Sequence, residues 1–388
     1  MKRSTILAAV AALAFTACSD GGGVADPSGP TALFSCGANL RAGAVYTMTN
    51  AATGNEILAF DRAPDGTQSP AGTFATGGAG SGSTLSNAQG ALVLSGRQPE
   101  DGVTRGPNGL LFAVNAGSDQ ISVFAVENDG LRLVDVEPSG GDMPISIAVH
   151  GRLVYVLNNI TGNISGFLLD SKGDLTPIPG SSRPVSGGGA AAPAQVAFAP
   201  DGERLVVTGK ATNVIDTYVV GRGGLVSGPH ASPSNGMTPF GFAFDRRGTL
   251  VVSEAFGGAA NQGALSSYRI GDGRLGTVSA SVRDHQSAPC WVVITSDGRL
   301  VYTTNTASGT ISSYSLGHDG TLTMLESIAG TTNGGPTDAA LTKGGRYLYA
   351  LAPGTGTIGT FEVQANGALA SVGTTAVPPR TTSGLAAR

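Results

Sequence analysis

Charge is scarce in this chain. Asp, Glu, Lys and Arg make up only 13% of 388 residues, and the formal net charge is −4. Nucleic-acid binders carry a basic patch or stripe, and this balance offers none. Only one Trp, three Cys and four His are present. No His/Cys cluster has zinc spacing, no Walker loop or dinucleotide fingerprint occurs, and neither Gly-x-Ser-x-Gly nor Ser-x-x-Lys is found. The sequence therefore points to no metal, no cofactor and no serine nucleophile. Nor does any run reach the ~18 apolar residues that a spanning helix needs.

What is abundant is glycine, at 60 residues beside 21 Pro and 40% apolar residues. Gly costs roughly 1 kcal/mol against Ala inside a helix, which excludes a helical bundle. Low charge with ample Val, Ile and Leu excludes disorder, and Gly does not recur every third residue as collagen requires. An all-β protein with many tight turns remains.

The N-terminus reads MKRSTILAAVAALAFTAC. Lys2 and Arg3 form a charged start, and the apolar stretch from Ile6 to Phe15 is too short to span a bilayer. Small Ala17 precedes Cys18, and SDGGG follows. This resembles a bacterial lipoprotein signal, in which Cys18 becomes the acylated first residue; cleavage near Ala17 as an ordinary secretory leader stays open. Residues 1–17 are read as a signal peptide, 18–42 as a flexible linker and 43–388 as the folded domain. Either reading places the mature chain outside the cytoplasm; the lipoprotein reading tethers it to a membrane only through lipid, with the outer membrane as the destination in a Gram-negative cell. Cys36 and Cys290 could pair there.

The folded part repeats. GLLFAVNAGSDQISVFAVENDGL from Gly109 recurs as GRLVYVLNNITGNISGFLLDSKGDL from Gly151 and DGRLVYTTNTASGTISSYSLGHDGTL from Asp297. The aligned aromatics are Phe60, Phe124, Phe167, Tyr218, Tyr268, Tyr314 and Phe361. Their spacing of roughly 45–50 residues, with several short β runs per unit, is the signature of a β-propeller. The longer first step reflects an insertion around Arg97–Asn108. Each unit is preceded by a small-residue apolar run suited to a crowded inner strand: GALVLS, PISIAV, AQVAFA, FGFAF, CWVVI, TDAAL and, at the C-terminus, SGLAA. The fold class is thus an all-β, seven-bladed propeller of four-stranded antiparallel blades. Its ring is expected to close when SGLAA (Ser383–Ala387) pairs beside Ala44–Met48, which removes free sheet edges. Asp-Gly, Asn-Gly and Gly-Gly pairs supply the positive-φ positions of the hairpins.

The strand endings LFAVN and VYTTN, the fourth strands GDLTPI and GTLTML, and the passage APAQVAFAPDG resemble the seven-bladed propeller lactonase family that contains 6-phosphogluconolactonase-like proteins. The resemblance covers Ala44 to Arg388 and implies lactone hydrolysis. A single Trp fits neither tryptophan-docked quinoprotein blades nor tryptophan–aspartate repeats. A non-catalytic ligand- or protein-binding propeller is the alternative. Export and few cations make 6-phosphogluconate lactone itself a poor expectation, and the chain is read as a monomer.

Propeller ligands usually sit over the axis, where the second strands end. Those ends are read as Thr49, Asn115, Asn158, Lys210, Glu254, Asn305 and Ala352. Asn115, Asn158 and Asn305 could contact substrate or cap their own turns through Asx hydrogen bonds. Lys210 and Glu254 break the pattern. A carboxylate could be the general base for water, and a lysine could stabilise the oxyanion; a rim ion pair would explain them equally, and a calcium site through Glu254 and the Asn residues is a third option. His285 completes the catalytic candidates. Arg283, Gln286, Gln195, Trp291 and Asp338 lie where they could line the opening for a lactone or carbohydrate-like ligand, although a lone Trp also suits core packing.

Overall fold

A computed structural model describes residues 42–83, 89–95, 109–332, 334–378 and 380–388. The leader, Cys18, Cys36, the predicted linker up to residue 41 and the predicted insertion at residues 97–108 lie outside the described residues. Among the described residues no helix is long and apolar enough to cross a membrane.

Strand pairing divides the described residues into seven antiparallel sheets, six of them built in sequence order from an inner strand outward. This is the seven-bladed propeller expected from the repeat. The inner strands of blades 2 to 7 are Leu92–Ser95, Pro144–His150, Pro193–Phe198, Pro239–Phe244, Pro289–Ile294 and Asp338–Leu341. Blade 1 borrows its inner strand from the C-terminus: Ser383–Ala387 pairs with Gly43–Met48 in the register Val45↔Ala387 to Met48↔Ser383. The Thr47 hydroxyl donates to the Gly384 carbonyl (2.7 Å), and the Arg388 amide donates to Ala44 (2.9 Å).

Blade 3 departs from the repeat. Its outer strand is broken into Leu175–Pro177 and Arg183–Pro184, both paired to the third strand. Ile178, Pro179 and Gly180 interrupt the ladder because Pro has no N–H to contribute. The Ile178 amide still reaches the Gly166 carbonyl, at 2.9 Å.

The core lies between blades. The seven aligned aromatics are all buried. Tyrosines in second strands also tie one blade to the next: the Tyr155 hydroxyl donates to the Gly224 carbonyl (2.6 Å), and Tyr349 to Gly66 (2.9 Å). Glycine is indispensable at the first-to-second-strand turn of blade 4. Gly202 has φ +72, and a Cβ there would sit 2.3 Å from the His150 ring.

Candidate functional site

The third-strand aromatics serve as a ruler for the axial opening. Phe124 pairs with Leu111, Phe167 with Val154, Tyr218 with Leu205, Tyr268 with Leu250 and Tyr314 with Val301. Counting the same distance onward from each partner reaches Asn115, Asn158, Gly209, Glu254 and Asn305. The second strand of blade 4 accordingly ends at Gly209, and Lys210 lies one residue beyond. The sequence alignment that equated Lys210 with Glu254 is therefore corrected by one position. In a β-strand that single step sends a side chain to the opposite face.

The Asn position points into the blade stack. Asn115 is fully buried. Its Oδ1 accepts from Thr76 Oγ1 (2.7 Å) and Asn55 Nδ2 (3.1 Å), and its Nδ2 donates to Ser122 Oγ (2.7 Å). Asn305 donates to Ser312 Oγ (2.7 Å) and Thr310 Oγ1 (3.1 Å), and Asn158 donates to the Ser139 carbonyl (3.4 Å). The turns that follow are closed by backbone instead: Gly162 donates to the Asn158 carbonyl and Gly309 to that of Asn305. The expected Asx caps are not what these side chains do: Asn115 and Asn158 reach the neighbouring blade or entering loop, and Asn305 holds the third strand of its own blade.

Glu254 occupies the same niche and is fully buried. One oxygen accepts from the Gly236 amide (2.8 Å) and the Ser266 hydroxyl (2.5 Å), the other from the Ser281 hydroxyl (2.6 Å). Gly236 makes room for it, since a Cβ there would lie 2.2 Å from the carboxylate. Blade 4 performs the same task from its third strand. Asp216 accepts from the amide (2.7 Å) and hydroxyl (2.6 Å) of Ser186, and burial raises its pKa, opposed by those bonds.

Lys210 faces the axis. Its Nζ donates to the Pro193 carbonyl (3.3 Å) and stands 4.8 Å from the centre of the Phe240 ring, a cation–π distance. Phe240 packs with Ala194, Ala255, Cys290 and fully buried Trp291. Burial lowers the lysine pKa to about 8, with the nearby Cys290 opposing the shift; the same burial pushes the Cys290 thiol up to about 12. Cys290 is a free thiol.

The remaining candidates separate. His285 is exposed on the loop entering blade 6, with a left-handed φ of 60. Arg283 donates to the carbonyl and side chain of Gln262 and lies 4.5 Å over Phe256. Gln286 is held by Ser327 (2.9 Å) and Thr310 (3.0 Å). Among the described residues, the donors around Glu254 include neither Lys210 nor His285.

Gln195 and Asp338 both line the axial cavity, from blades 4 and 7. Gln195 Nε2 donates to the Phe242 carbonyl (3.0 Å) while its Oε1 accepts from the Phe242 amide (2.7 Å). Gln89, which sequence reasoning missed, does the same with Val292 of blade 6, at 2.8 and 3.1 Å. It crosses the axis to do so, and only Gly241 leaves it room: a Cβ there would meet Gln89 Oε1 at 2.3 Å. Ser146 accepts from the Val196 amide (3.1 Å) and donates to the Gln89 carbonyl (2.6 Å). Asp338, 3% exposed, accepts from the Ala339 amide (2.8 Å) and the Leu385 backbone, and burial pushes its pKa up to about 8. Below this polar layer a cavity of about 530 Å³ continues toward His150, Pro200 and Phe244. No cluster of metal-ligating residues occurs among the described residues.

A ring of seven antiparallel sheets closed by the C-terminal strand defines a seven-bladed propeller. Residues 103–255 and 253–379 match the family model "Lactonase, 7-bladed beta-propeller", and the chain belongs to that family. No curated protein matches the sequence. Among solved structures it is similar to a candidate 6-phosphogluconolactonase from Bacteroides fragilis, at 19% identity and TM-score 0.68 over 89% of this chain and 98% of that one. A similar candidate from Bacteroides uniformis has 22% identity and TM-score 0.66, over 88% and 98%. The periplasmic gluconolactonase of Pseudomonas aeruginosa has 15% identity and TM-score 0.65, over 87% and 98%. At these identities the likenesses establish the fold.

Proposed function

We propose that the protein is an extracytoplasmic lactone hydrolase acting on an uncharged cyclic ester at the axial opening beside Lys210. One observation carries this reading within a lactonase family: a lysine ammonium is held against the Phe240 face in a largely desolvated position at the axis. Water attack on a lactone carbonyl builds negative charge on its oxygen, and a preorganised cation there lowers the barrier. The site suits a neutral substrate, because Arg283, the other cation proposed for this face, is engaged with Gln262 and Phe256. Glu254 is buried within its blade and His285 is exposed on a loop, so the proposal rests on Lys210 alone. Export rests on the Lys2–Cys18 leader pattern, and the periplasmic gluconolactonase of similar fold agrees with it.

The test is hydrolysis of γ- and δ-lactones, with and without phosphate, by the purified protein and by Lys210→Met. Loss of an oxyanion donor should lower kcat/KM about 10²–10³-fold. Activity should also fall as pH rises through about 8, where the ammonium loses its proton. Equal rates in Lys210→Met would remove the assigned role. A parent with no turnover but measurable lactone binding would favour the second reading, a non-catalytic binding propeller, which the sequestration of Glu254 supports. Labelled palmitate incorporated by the full chain but not by Cys18→Ser would support the lipid anchor; no difference would remove it.

A further inference from the structure

We propose that the axial cavity is a second ligand site, taking an uncharged polyhydroxylated molecule of monosaccharide size, on the face opposite Lys210. The argument starts from strand edges. All seven inner strands are terminal members of their sheets, so each turns toward the axis an edge with no strand partner in its own sheet. Among these edges the Ile147 amide reaches the Gly90 carbonyl at 2.9 Å. Buried N–H and C=O groups must find partners elsewhere. At the level of the polar layer the molecule supplies them itself: Gln89 pairs with the edge at Val292, Gln195 with that at Phe242, and Ser146 with that at Val196.

Below that layer the walls of the 530 Å³ cavity are the edges of the inner strands of blades 2 to 5 and the C-terminal strand. No side-chain hydrogen bond among the described residues caps these lower edges. Their amides and carbonyls alternate along each strand and carry no net charge. A ligand that matches them must offer donors and acceptors in comparable number, as the hydroxyls of a sugar or cyclitol do. Among the described residues, Asp338 and His150 are the only titratable side chains on the lining, and no Lys or Arg joins them. An anionic sugar acid or phosphate therefore has no counter-charge there. Phe198 and Phe244 line the far end and add apolar surface beside the polar strand edges. The volume lies within the range of small-molecule pockets, about 300–1,000 Å³.

This site does not depend on the lactonase reading. Calorimetric titration of the full protein with myo-inositol and glucose is the direct test, with gluconate and glucose 6-phosphate as charged comparisons. The neutral polyols should bind, and the charged ones should bind at least about tenfold more weakly. Ala387→Trp and Leu94→Trp, on different walls of the cavity, should each weaken polyol binding about tenfold or more. Lys210→Met should leave it unchanged. Circular dichroism identifies any wall variant that fails to fold, and the other then carries the test. Three results would overturn the proposal: no polyol binding by the parent, equal binding of the charged compounds, or binding lost in Lys210→Met but retained in a folded wall variant.

Discussion

Replacing Asp338 by Asn should make the protein more stable at alkaline pH, and the structure gives the size of the effect. Asp338 is almost wholly buried where the seventh blade meets the closing strand, and it accepts from Ala339 (2.8 Å) and from the Leu385 backbone. Burial is the dominant influence and the two amides oppose it, leaving the carboxyl titrating at about 8 against an ordinary value of 3.8. In the unfolded chain the proton leaves near pH 4; in the folded protein it stays until about pH 8. Across that window the unfolded state has released a proton that the folded state still holds, so rising pH favours unfolding. The slope for one such group is about 1.36 kcal/mol per pH unit. Below pH 4 the penalty is absent, and above 8 it is complete. Between pH 5 and pH 8 the parent should lose, relative to Asp338→Asn, up to about 4 kcal/mol. Urea unfolding of both proteins at pH 5, 6, 7 and 8, at fixed ionic strength, measures the gap. Asn keeps an acceptor for the two amides, so the substitution isolates the proton. A gap that stays constant across the series would refute the reasoning.

Removal of residues 380–388 should strip blade 1 of its inner strand and lower the melting temperature sharply. Loss of buried Leu385 alone is worth about 2–5 kcal/mol, and an unchanged calorimetric melt would contradict the closure. Gly241→Ala should force Gln89 off the axis, because the new Cβ meets both Gln89 Oε1 (2.3 Å) and the Cys290 carbonyl (2.4 Å). A cost of about 1–3 kcal/mol and faster hydrogen exchange at the Val292 amide are expected; slow exchange there would show that the bridge survives. Cys290, buried and with its thiol pushed up to about 12, should resist iodoacetamide at pH 8 until urea is added. Rapid labelling of the native protein would show that the thiol is accessible.

The fold was legible because its signals are local and repeated. The aromatic spacing, the Asp-Gly turns and the small-residue inner runs each follow from one blade, and all seven inner strands fall where those runs predicted. The break in the outer strand of blade 3 was also written, in Ile178-Pro179-Gly180, although the repeat drew attention away from it. The axial layer was only half legible. Gln195 and Asp338 could be placed on inner strands, but their partners could not. Gln89 meets Val292 from 203 positions away, and no periodicity within a blade reports a contact across the ring.

The one-residue correction at Lys210 explains why departures from the repeat do not all carry the same meaning. In blade 5 a carboxylate on the second strand, Glu254, holds the Gly236 amide of the entering loop, beside a third-strand Ser266. In blade 4 the second-strand position is Gly209, and the third-strand position, paired with Val207 as Ser266 is with Val252, is Asp216. Asp216 holds the Ser186 amide in the same manner. The carboxylate has changed strands while its task has stayed the same. Glu254 thus breaks the sequence pattern without departing from the structural one. Lys210, one step on, faces the axis, where its ammonium donates to the Pro193 carbonyl and stands over the Phe240 ring. Gln89 and Gln195 lie on that face too, where they cap the inner-strand edges at Val292 and Phe242. In a repeat fold, the face on which a deviation lies separates repair of the architecture from capacity for function, and here that face is the axis.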